Sequence, residues 1–597
     1  MPGSKSSGGP LSSEVFRIAF FRLLWERALS TAHPPHRLKS VPQDKLKSVA
    51  PSGIWFERLA VLICTAGLSI AAMSWCLSHG YTLADGDAES HLNIARRILD
   101  SRTPGVDQFG TGWLPFQHAL MLPLVWNDRW WQSGLAGAVP SGCAFVVGCV
   151  LLYSTARRVF PARAAAMTAL AVFALNPNIL YLQSAAMNEV IFLATLAGLL
   201  FTTVWFQETG SAMAVIAAGV FSNAAALTRY DGWFLIPFVT LFFFVAGGRR
   251  RWWAGLLFGA IAAIAPLVWF AYNWWFYRNP LEFFNGPYST KAIYERGIKA
   301  GGARQPGDHD WLLAARYLWA AAALAAGAPL AWLGVAGAAA AIWMRRWWVV
   351  LLLSLPPVFY VWSIHSSGAQ IFVPALWPHS HYNTRYGTAM LPLFAMGAAA
   401  LVAVAPGRFR IAAAGAVIAS AIAPWLIHPQ PDTWVCWKEP RVNSAARRTW
   451  TAAAARYMKS NYREGEGIFT EFGDLTGILR AGGIPLREML HEGNSPQWMA
   501  AERKPGLFLK EGWVIAFAGD PVATAIQRAN RSGPLYTLVA LVQTPGADVI
   551  EIYRRSGGDW AFSRLCAAGV IAGCNPQVHV EGTGDDDENS IHESPRR

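Results

Sequence analysis

"LAVLICTAGLSIAAMSWCLSHGYTLADGDAESHLNIARRIL", residues 59–99, passes from a long apolar run to three acids, Asp85, Asp87 and Glu89. The run is about 20 residues long, enough to cross the hydrocarbon core of a bilayer. Carboxylates at the mouth of a span cap something, bind something or take a proton. Beyond Glu89, Leu92, Ala95 and Leu99 recur at helical spacing, with Arg96, Arg97 and Asp100 on other faces. That pattern predicts a helix lying along the membrane surface. An acid just before a helix start caps its free N–H groups and suits its dipole. The same carboxylate can serve as a general base toward a hydroxyl, with a second acid holding a metal or the acceptor. The two roles are compatible, because a cap fixes the carboxylate's position.

The whole chain shares this apolar character. Of 597 residues, 53% are hydrophobic and only 15% charged, against about 25% charged in a soluble domain. Mean hydropathy is +0.27. Spans are predicted at roughly 57–78, 134–154, 164–182, 189–206, 211–228, 233–247, 253–275, 312–342, 347–364, 387–405 and 410–427, about eleven in all. The formal charge of +13 gathers before the first span and in clusters between later ones, including Arg157, Arg158 and Arg163, "GGRRRWW" (247–253), "MRRWW" (344–348) and Arg408 with Arg410. With a cytoplasmic N-terminus these clusters fall on the inside, and the acidic loop, "SAAMNE", "TRYDGW" and "WPHSHYNTRYG" fall on the outside, as the positive-inside rule requires. An odd number of spans then leaves the C-terminus outside. Positive charge that flanks spans argues for orientation rather than for nucleic acid.

The expected fold is an α-helical polytopic membrane protein with a C-terminal extracytoplasmic α/β domain. Residues 1–55 form a basic cytoplasmic extension without a cleavable signal. Residues 56–430 form the membrane domain, with its first outer loop at 79–133. Residues 431–575 alternate helical stretches with strand-like segments such as "GIFTEF", "WVIAFAG", "YTLVALVQT" and "DVIEIY", the pattern of an α/β domain. The tail 576–597 is polar and is expected to be disordered. Cys566 and Cys574 are a candidate disulfide if that region is extracytoplasmic.

Further polar residues collect on the predicted outer side. Trp113 in the first loop offers a flat apolar face that can stack on a sugar or anchor a helix at the interface, and Gln117 and His118 follow it. Glu189 opens a span, and an ionisable residue there is functional by default. Arg229 and Asp231 in "LTRYDGWFLIP" either stabilise a turn or meet a membrane phosphate. The 276–311 loop carries Arg278, Lys291, Arg296, Lys299 and Arg304 against the positive-inside trend, which suits a phosphate-bearing ligand. His379, His381, Arg385 and Tyr386 cluster before a late span; two His spaced by two can bind metal only with further ligands. Neither a P-loop nor a Rossmann fingerprint, HExxH or paired CxxC motif is present.

Taken together these landmarks resemble the GT-C superfamily of polyprenyl-phosphate-sugar-dependent glycosyltransferases, in the family 39-like branch of protein O-mannosyltransferases and lipid A aminoarabinose transferases. The resemblance rests on "DGDAESH" after the first span, "NEVIFLATLAG" at Glu189, "LTRYDGWFLIP", and "RYGTAMLPLF" before a late span, and covers residues 55–430. It implies transfer of a sugar, with inversion, from a polyprenyl-phosphate donor to an acceptor hydroxyl on a protein, glycan or lipid, at the outer face of the membrane; the Ala/Arg/Trp/Gly-rich composition and the lack of an evident ER retrieval signal lead to the expectation of a bacterial inner membrane. Asp87 matches the first-loop acid that would act as base, with Asp85, Glu89 and Glu189 as the other catalytic candidates. Arg229, Arg385, Lys291 and Arg278 would meet the donor phosphate. Trp113, Gln117, His118, Asp231, His381 and Tyr386 would line the substrate site. The acids here are spaced by one residue, where protein mannosyltransferases have adjacent Asp–Glu, so the identity of the base stays open. Some branches bind a divalent cation such as Mg or Mn and others do not, and the residues leave the metal open. A transporter or flippase of lipid-linked sugars would share the charged outer face, yet the paired halves common in transporters are not evident, and a non-catalytic scaffold would not need Glu189, Arg229 and Arg385 on one side.

Overall fold

The computed structural model describes residues 52–287, 289–429, 434–531 and 533–556, and a strand at 578–581. The basic N-terminal extension, Cys566 and Cys574, and the polar tail after 581 lie outside the described residues. Among the described residues, eight helices are long and apolar enough to cross a membrane, the first at Trp55–Ser78 and the last at Gly407–Ile427. A ninth candidate is the pair Trp311–Ala326 and Ala328–Trp343, and shorter apolar helices run over Phe116–Val125, Arg163–Ala174 and Ala212–Ala226. The protein is a multi-pass, largely helical membrane protein.

Two of the predicted segments differ in detail, each for a local reason. The segment 164–182 is two helices, Arg163–Ala174 and Pro177–Leu182. Pro177 opens the second, and the Asn176 side chain accepts the backbone N–H groups of Asn178 and Ile179, so the chain restarts there. The segment 312–342 bends by 111° at Gly327, whose φ is +85°; Pro329 just beyond it cannot extend the preceding helix.

Long helices pack through small residues. A Cβ placed on Gly337 would lie 1.9 Å from the carbonyl oxygen of Gly397, and one on Gly397 would lie 2.2 Å from that of Gly334. Helices Ala328–Trp343 and Leu391–Val404 therefore cross backbone to backbone, the device by which helices in lipid gain close van der Waals contact. The Leu391–Val404 helix continues directly from the turn that holds Arg385, so this crossing seats part of the site.

The C-terminal segment is α/β. Helices Val435–Asn443 and Ala445–Asn461 lead into a six-stranded mixed sheet: β1 (Ile468–Phe469), β2 (Met489–Leu490), β3 (Trp513–Phe517), β4 (Tyr536–Gln543), β5 (Ile550–Arg555) and β6 (Val578–Glu581), in the order β2-β1-β3-β5-β4-β6. β1 is parallel to both β2 and β3, β5 is antiparallel to β3 and β4, and β6 is parallel to β4. Each strand-like stretch read from the sequence contains or overlaps a strand.

The helix predicted to lie along the membrane surface, Gly86–Leu99, exists but is buried on nearly every face. Apart from Asp87, its charged residues are engaged by the C-terminal segment and the rest of the first loop. Arg96 pairs with Asp100 at 2.9 Å and with Asp128 at 2.7 Å, and the Arg97 guanidinium stacks 3.9 Å from the Phe472 ring centre. Beyond the helix, Asp100 accepts the N–H of Leu486 at 3.1 Å, Arg102 meets Glu511 at 2.6 Å, and Gln108 donates to the carbonyl of Gly493 at 3.0 Å. Periodicity alone cannot separate a polar face turned to water from one turned to another domain. The described residues from Ala60 onward form one compact unit.

The glycine crossing gives a first prediction. Gly397→Leu must push a side chain into backbone, a cost of about 1–3 kcal/mol or more for an overpacked core. Size-exclusion chromatography of detergent-solubilised protein is expected to show loss of the monodisperse peak. Gly415→Leu should leave the peak unchanged, because a Cβ at Gly415 meets nothing within 4 Å.

Candidate active site

Three helix N-termini converge, and each carries an acid in its first turn: Asp87 on Gly86–Leu99, Glu189 on Glu189–Thr209 and Asp231 on Asp231–Gly247. The positive ends of the helix dipoles favour negative charge there. Two buried arginines tie the acids together. Arg385, in the 3-10 turn Thr384–Met390, donates through Nη2 to Asp87 and through Nε to Glu189 Oε1 at 3.1 Å. Its Nη1 lies 3.7 Å from Asp85 and 3.5 Å from Glu439. Arg229 donates through Nη1 to the same Glu189 Oε1 at 3.1 Å, lies 3.5 Å from Asp231, and also donates to Asn188 and the Tyr360 hydroxyl. Tyr386 lies beneath both guanidiniums, 4.9 Å from that of Arg229 and 5.5 Å from that of Arg385.

Each acid is placed differently. Asp85 is the helix cap: its Oδ1 accepts the Asp87 N–H at 2.8 Å. Glu189, Asp231 and Glu439 are buried, their side chains 5%, 2% and 6% exposed. Asp87 is 41% exposed and lines two adjoining cavities of about 700 and 190 Å³. Glu89 points the other way, into ion pairs with Arg447 and with Arg480 at 2.6 Å, and lines neither cavity. Successive helical residues turn by about 100°, so positions two apart face nearly opposite sides.

Of the remaining sequence candidates, Trp113 and Tyr386 line both cavities, and Glu189, Arg229, Asp231 and Arg385 line the smaller one. Gln117 and His118 are buried outside them: Gln117 donates to the carbonyl of Ala186 at 2.7 Å, and His118 Nε2 is 2.9 Å from His91 Nδ1. His91 itself faces the smaller cavity, its ring 4.5 Å from that of Trp113, and burial together with the charges of Arg385 and Arg229 pushes it down to about 3. It is therefore a neutral imidazole at any physiological pH. Lys291 and Arg278 are exposed and line neither cavity; Lys291 sits over the Phe284 ring, and Arg278 ends a helix in the left-handed region at φ 59°. His381 is half-buried and its carbonyl accepts from Asn443 at 2.6 Å.

Sequence reasoning missed Glu439 and Tyr360, and took Arg304 only as one charge among those of the 276–311 loop. Glu439 accepts the backbone N–H groups of Asn383 at 2.6 Å and Thr384 at 2.8 Å, and the Thr384 hydroxyl. It thereby fixes the left-handed Asn383, φ 52°, that turns the chain into Arg385. No local pattern marks a carboxylate that works on a loop 55 residues away. Arg304, exposed on the wall of the larger cavity, belongs to the basic loop that ran against the charge trend, and that anomaly was a signal that could have singled it out.

Among the described residues, no three His, Cys, Asp or Glu side chains are grouped to hold a metal ion, and the acids that approach one another are already engaged by Arg229 or Arg385.

Asp85 supplies a pH-dependent test. Burial, with the neighbouring charges of Asp87 and Glu439 overriding the attraction of Arg385, raises its carboxyl to about 6. A raised folded-state value means that its contribution to stability is full below the unfolded value near 3.8 and is lost as pH rises through about 6. Asp85→Asn, which cannot ionise, should therefore gain thermal stability relative to the parent protein as pH rises from about 4 to about 7. A difference in melting temperature that is flat over this range would contradict the assignment.

The family model described as dolichyl-phosphate-mannose-protein mannosyltransferase matches residues 131–276, about a quarter of the chain. Glu189, Arg229 and Asp231 lie inside that segment and Asp87 and Arg385 outside it, so the resemblance read from the motifs is borne out over part of its span. No curated protein matches the chain. Among solved structures, ArnT from Cupriavidus metallidurans bound to undecaprenyl phosphate is 12% identical with a TM-score of 0.47, covering 84% of this chain and 98% of that one. The Archaeoglobus fulgidus oligosaccharyltransferase in complex with Zn and sulfate is 14% identical with a TM-score of 0.42, covering 84% and 73%.

Proposed function

We propose that the protein is a membrane glycosyltransferase that moves a sugar from a polyprenyl-phosphate donor to an acceptor hydroxyl, with inversion, at the extracytoplasmic face of a bacterial inner membrane. The observation that carries this reading is the placement of Asp87. Of the five acids around Arg229 and Arg385, it alone is substantially exposed, and it borders both polar cavities. The similarity of residues 131–276 to dolichyl-phosphate-mannose-dependent transferases supports the donor class.

In this reading the acceptor hydroxyl gives its proton to the Asp87 carboxylate as its oxygen attacks the anomeric carbon. The bond from that carbon to the phosphate oxygen breaks, its electron pair stays with the polyprenyl phosphate, and a single displacement inverts the centre. Arg385 and Arg229 balance the charge that develops on the leaving phosphate, as fixed donors do in other group transfers, and Arg304 adds a guanidinium from the cavity wall. Glu189 is a positioning residue, because its one oxygen holds both arginines. Trp113 and Tyr386 supply faces for the sugar. An apolar groove of about 790 Å³, lined by Phe234, Trp311, Leu318, Pro357, Trp362 and Met390, is carried on the same elements as Tyr360 and Arg385 and suits an isoprenoid chain.

The basic clusters support the orientation. Arg158, at the end of the Leu135–Val159 helix, pairs with Glu208, which lies at the far end of the Glu189–Thr209 helix from Glu189. Cytoplasmic arginines and the acid-rich site thus sit at opposite ends of the same helices.

Asp87→Asn keeps the size and loses the base. Purified protein supplied with a panel of radiolabelled polyprenyl-phosphate sugars is expected to transfer label, and the variant to bind donor while transfer falls by about 10²–10⁴-fold. Transfer by the variant at the parent rate would remove Asp87 from the mechanism.

A further inference from the structure

A separate cavity of about 330 Å³ lies on the other side of the Gly86–Leu99 helix from the candidate active site. Leu77 and Gly80, at the end of the first span, border it, and so do Glu89, Arg447, Arg448 and Arg480. It therefore lies at the level where a span gives way to polar structure.

Its charges do not balance. Glu89 is shared between Arg447 and Arg480, which leaves one positive charge over. The remaining contacts of Arg480 and Arg447 go to backbone carbonyls of Gln132 at 2.6 Å and of Leu83 and Ala84 at 3.4 and 3.5 Å. Arg448 is held by carbonyls, those of Ala84 at 3.3 Å, Pro440 at 2.9 Å and Arg441 at 3.2 Å. Carbonyl oxygens satisfy N–H groups but bring no formal charge, so three arginines that line the pocket face one lining carboxylate, with Asp474 and Asp85 acting on Arg447 from outside it. The Arg447 side chain is 9% exposed, and its buried Nε has no hydrogen-bond partner. Burial pushes Arg480 down to about 10; it also pushes Arg447 down, with the neighbouring Arg480 and Arg448 adding to the effect against the fields of Asp474 and Asp85. Concentrating guanidiniums in a partly desolvated pocket is costly unless an anion completes it, and guanidinium groups match phosphate oxygens in geometry and charge.

We propose that this pocket binds a phosphate group, carried by an anionic phospholipid headgroup at the membrane boundary or present as free phosphate. The site is distinct from the transfer chemistry and does not depend on the glycosyltransferase reading. A ligand there would bridge the end of the first span to the helices Ala445–Asn461 and Thr476–Gly482, and so tie the C-terminal segment to the membrane.

The test uses the full chain in detergent, with two variants. Arg448→Gln removes the charge held by carbonyls. Ala452→Glu places a carboxylate on an exposed residue of the pocket wall and leaves every native contact in place, which guards against loss of fold in the first variant. Native mass spectrometry with phosphatidylglycerol, against phosphatidylcholine as control, reads the lipid arm. Thermal shift with inorganic phosphate, against chloride at equal ionic strength, reads the free-ion arm. The expected result is preferential retention of phosphatidylglycerol, stabilisation by phosphate, or both, weakened about tenfold in each variant, as loss of one charge-assisted hydrogen bond would do. Lipid retention identifies a headgroup site, and phosphate stabilisation without lipid retention identifies a free-phosphate site. No preference for either ligand, or undiminished binding by folded variants, would overturn the proposal.

Discussion

One guanidinium organises the candidate active site of this protein. Arg385 lies among Asp85, Asp87, Glu189 and Glu439, four carboxylates that come from the first loop, the head of a central helix and the C-terminal segment. A buried charge of this kind is tolerated only when it is paired, and removing one partner typically costs about 3–5 kcal/mol. The reverse also holds: the acids could not gather without it. The first loop, the membrane helices and the C-terminal segment are thereby brought to one point, and the cavity beside Asp87 is a consequence of that meeting.

The second arginine extends the arrangement. Glu189 spends a single oxygen on both Arg385 and Arg229, while its other oxygen is buried without a partner. Five acids against two arginines leave the cluster acid-rich, and the raised carboxyl of Asp85 relieves part of that excess below about pH 6, where it keeps its proton. The C-terminal segment is a structural part of the site and no appendage, since Glu439 fixes the turn before Arg385 and Arg447 and Arg480 hold Glu89, two residues from Asp87. A helix fastened on one face by ion pairs presents the acid on its other face with little freedom to move.

The membrane character, the strands of the C-terminal sheet and the convergence of Asp87, Glu189, Arg229, Arg385 and Tyr386 were legible in the sequence, because span length, strand pattern and charge sidedness are local or additive signals. The breaks at Asn176–Pro177 and Gly327 were written in the Pro and Gly residues but hidden by continuous hydropathy. What could not be read was which partner each charge takes. Glu89 looks like Asp87 in sequence, and only the third dimension sends it to Arg447. Glu439 carries no local mark at all, and Lys291 and Arg278 share the charge of Arg304 without sharing its cavity.

The most direct test of the account is a cryo-EM structure of the full chain with a non-hydrolysable polyprenyl-phosphate sugar analogue. The sugar is expected in the cavity bordered by Asp87, Trp113 and Tyr386, with its phosphate within hydrogen-bond reach of Arg385, Arg229 or Arg304 and its lipid along the groove beside Trp362. Density for the analogue elsewhere, with the Arg385 cluster unchanged and no ligand near Asp87, would contradict it.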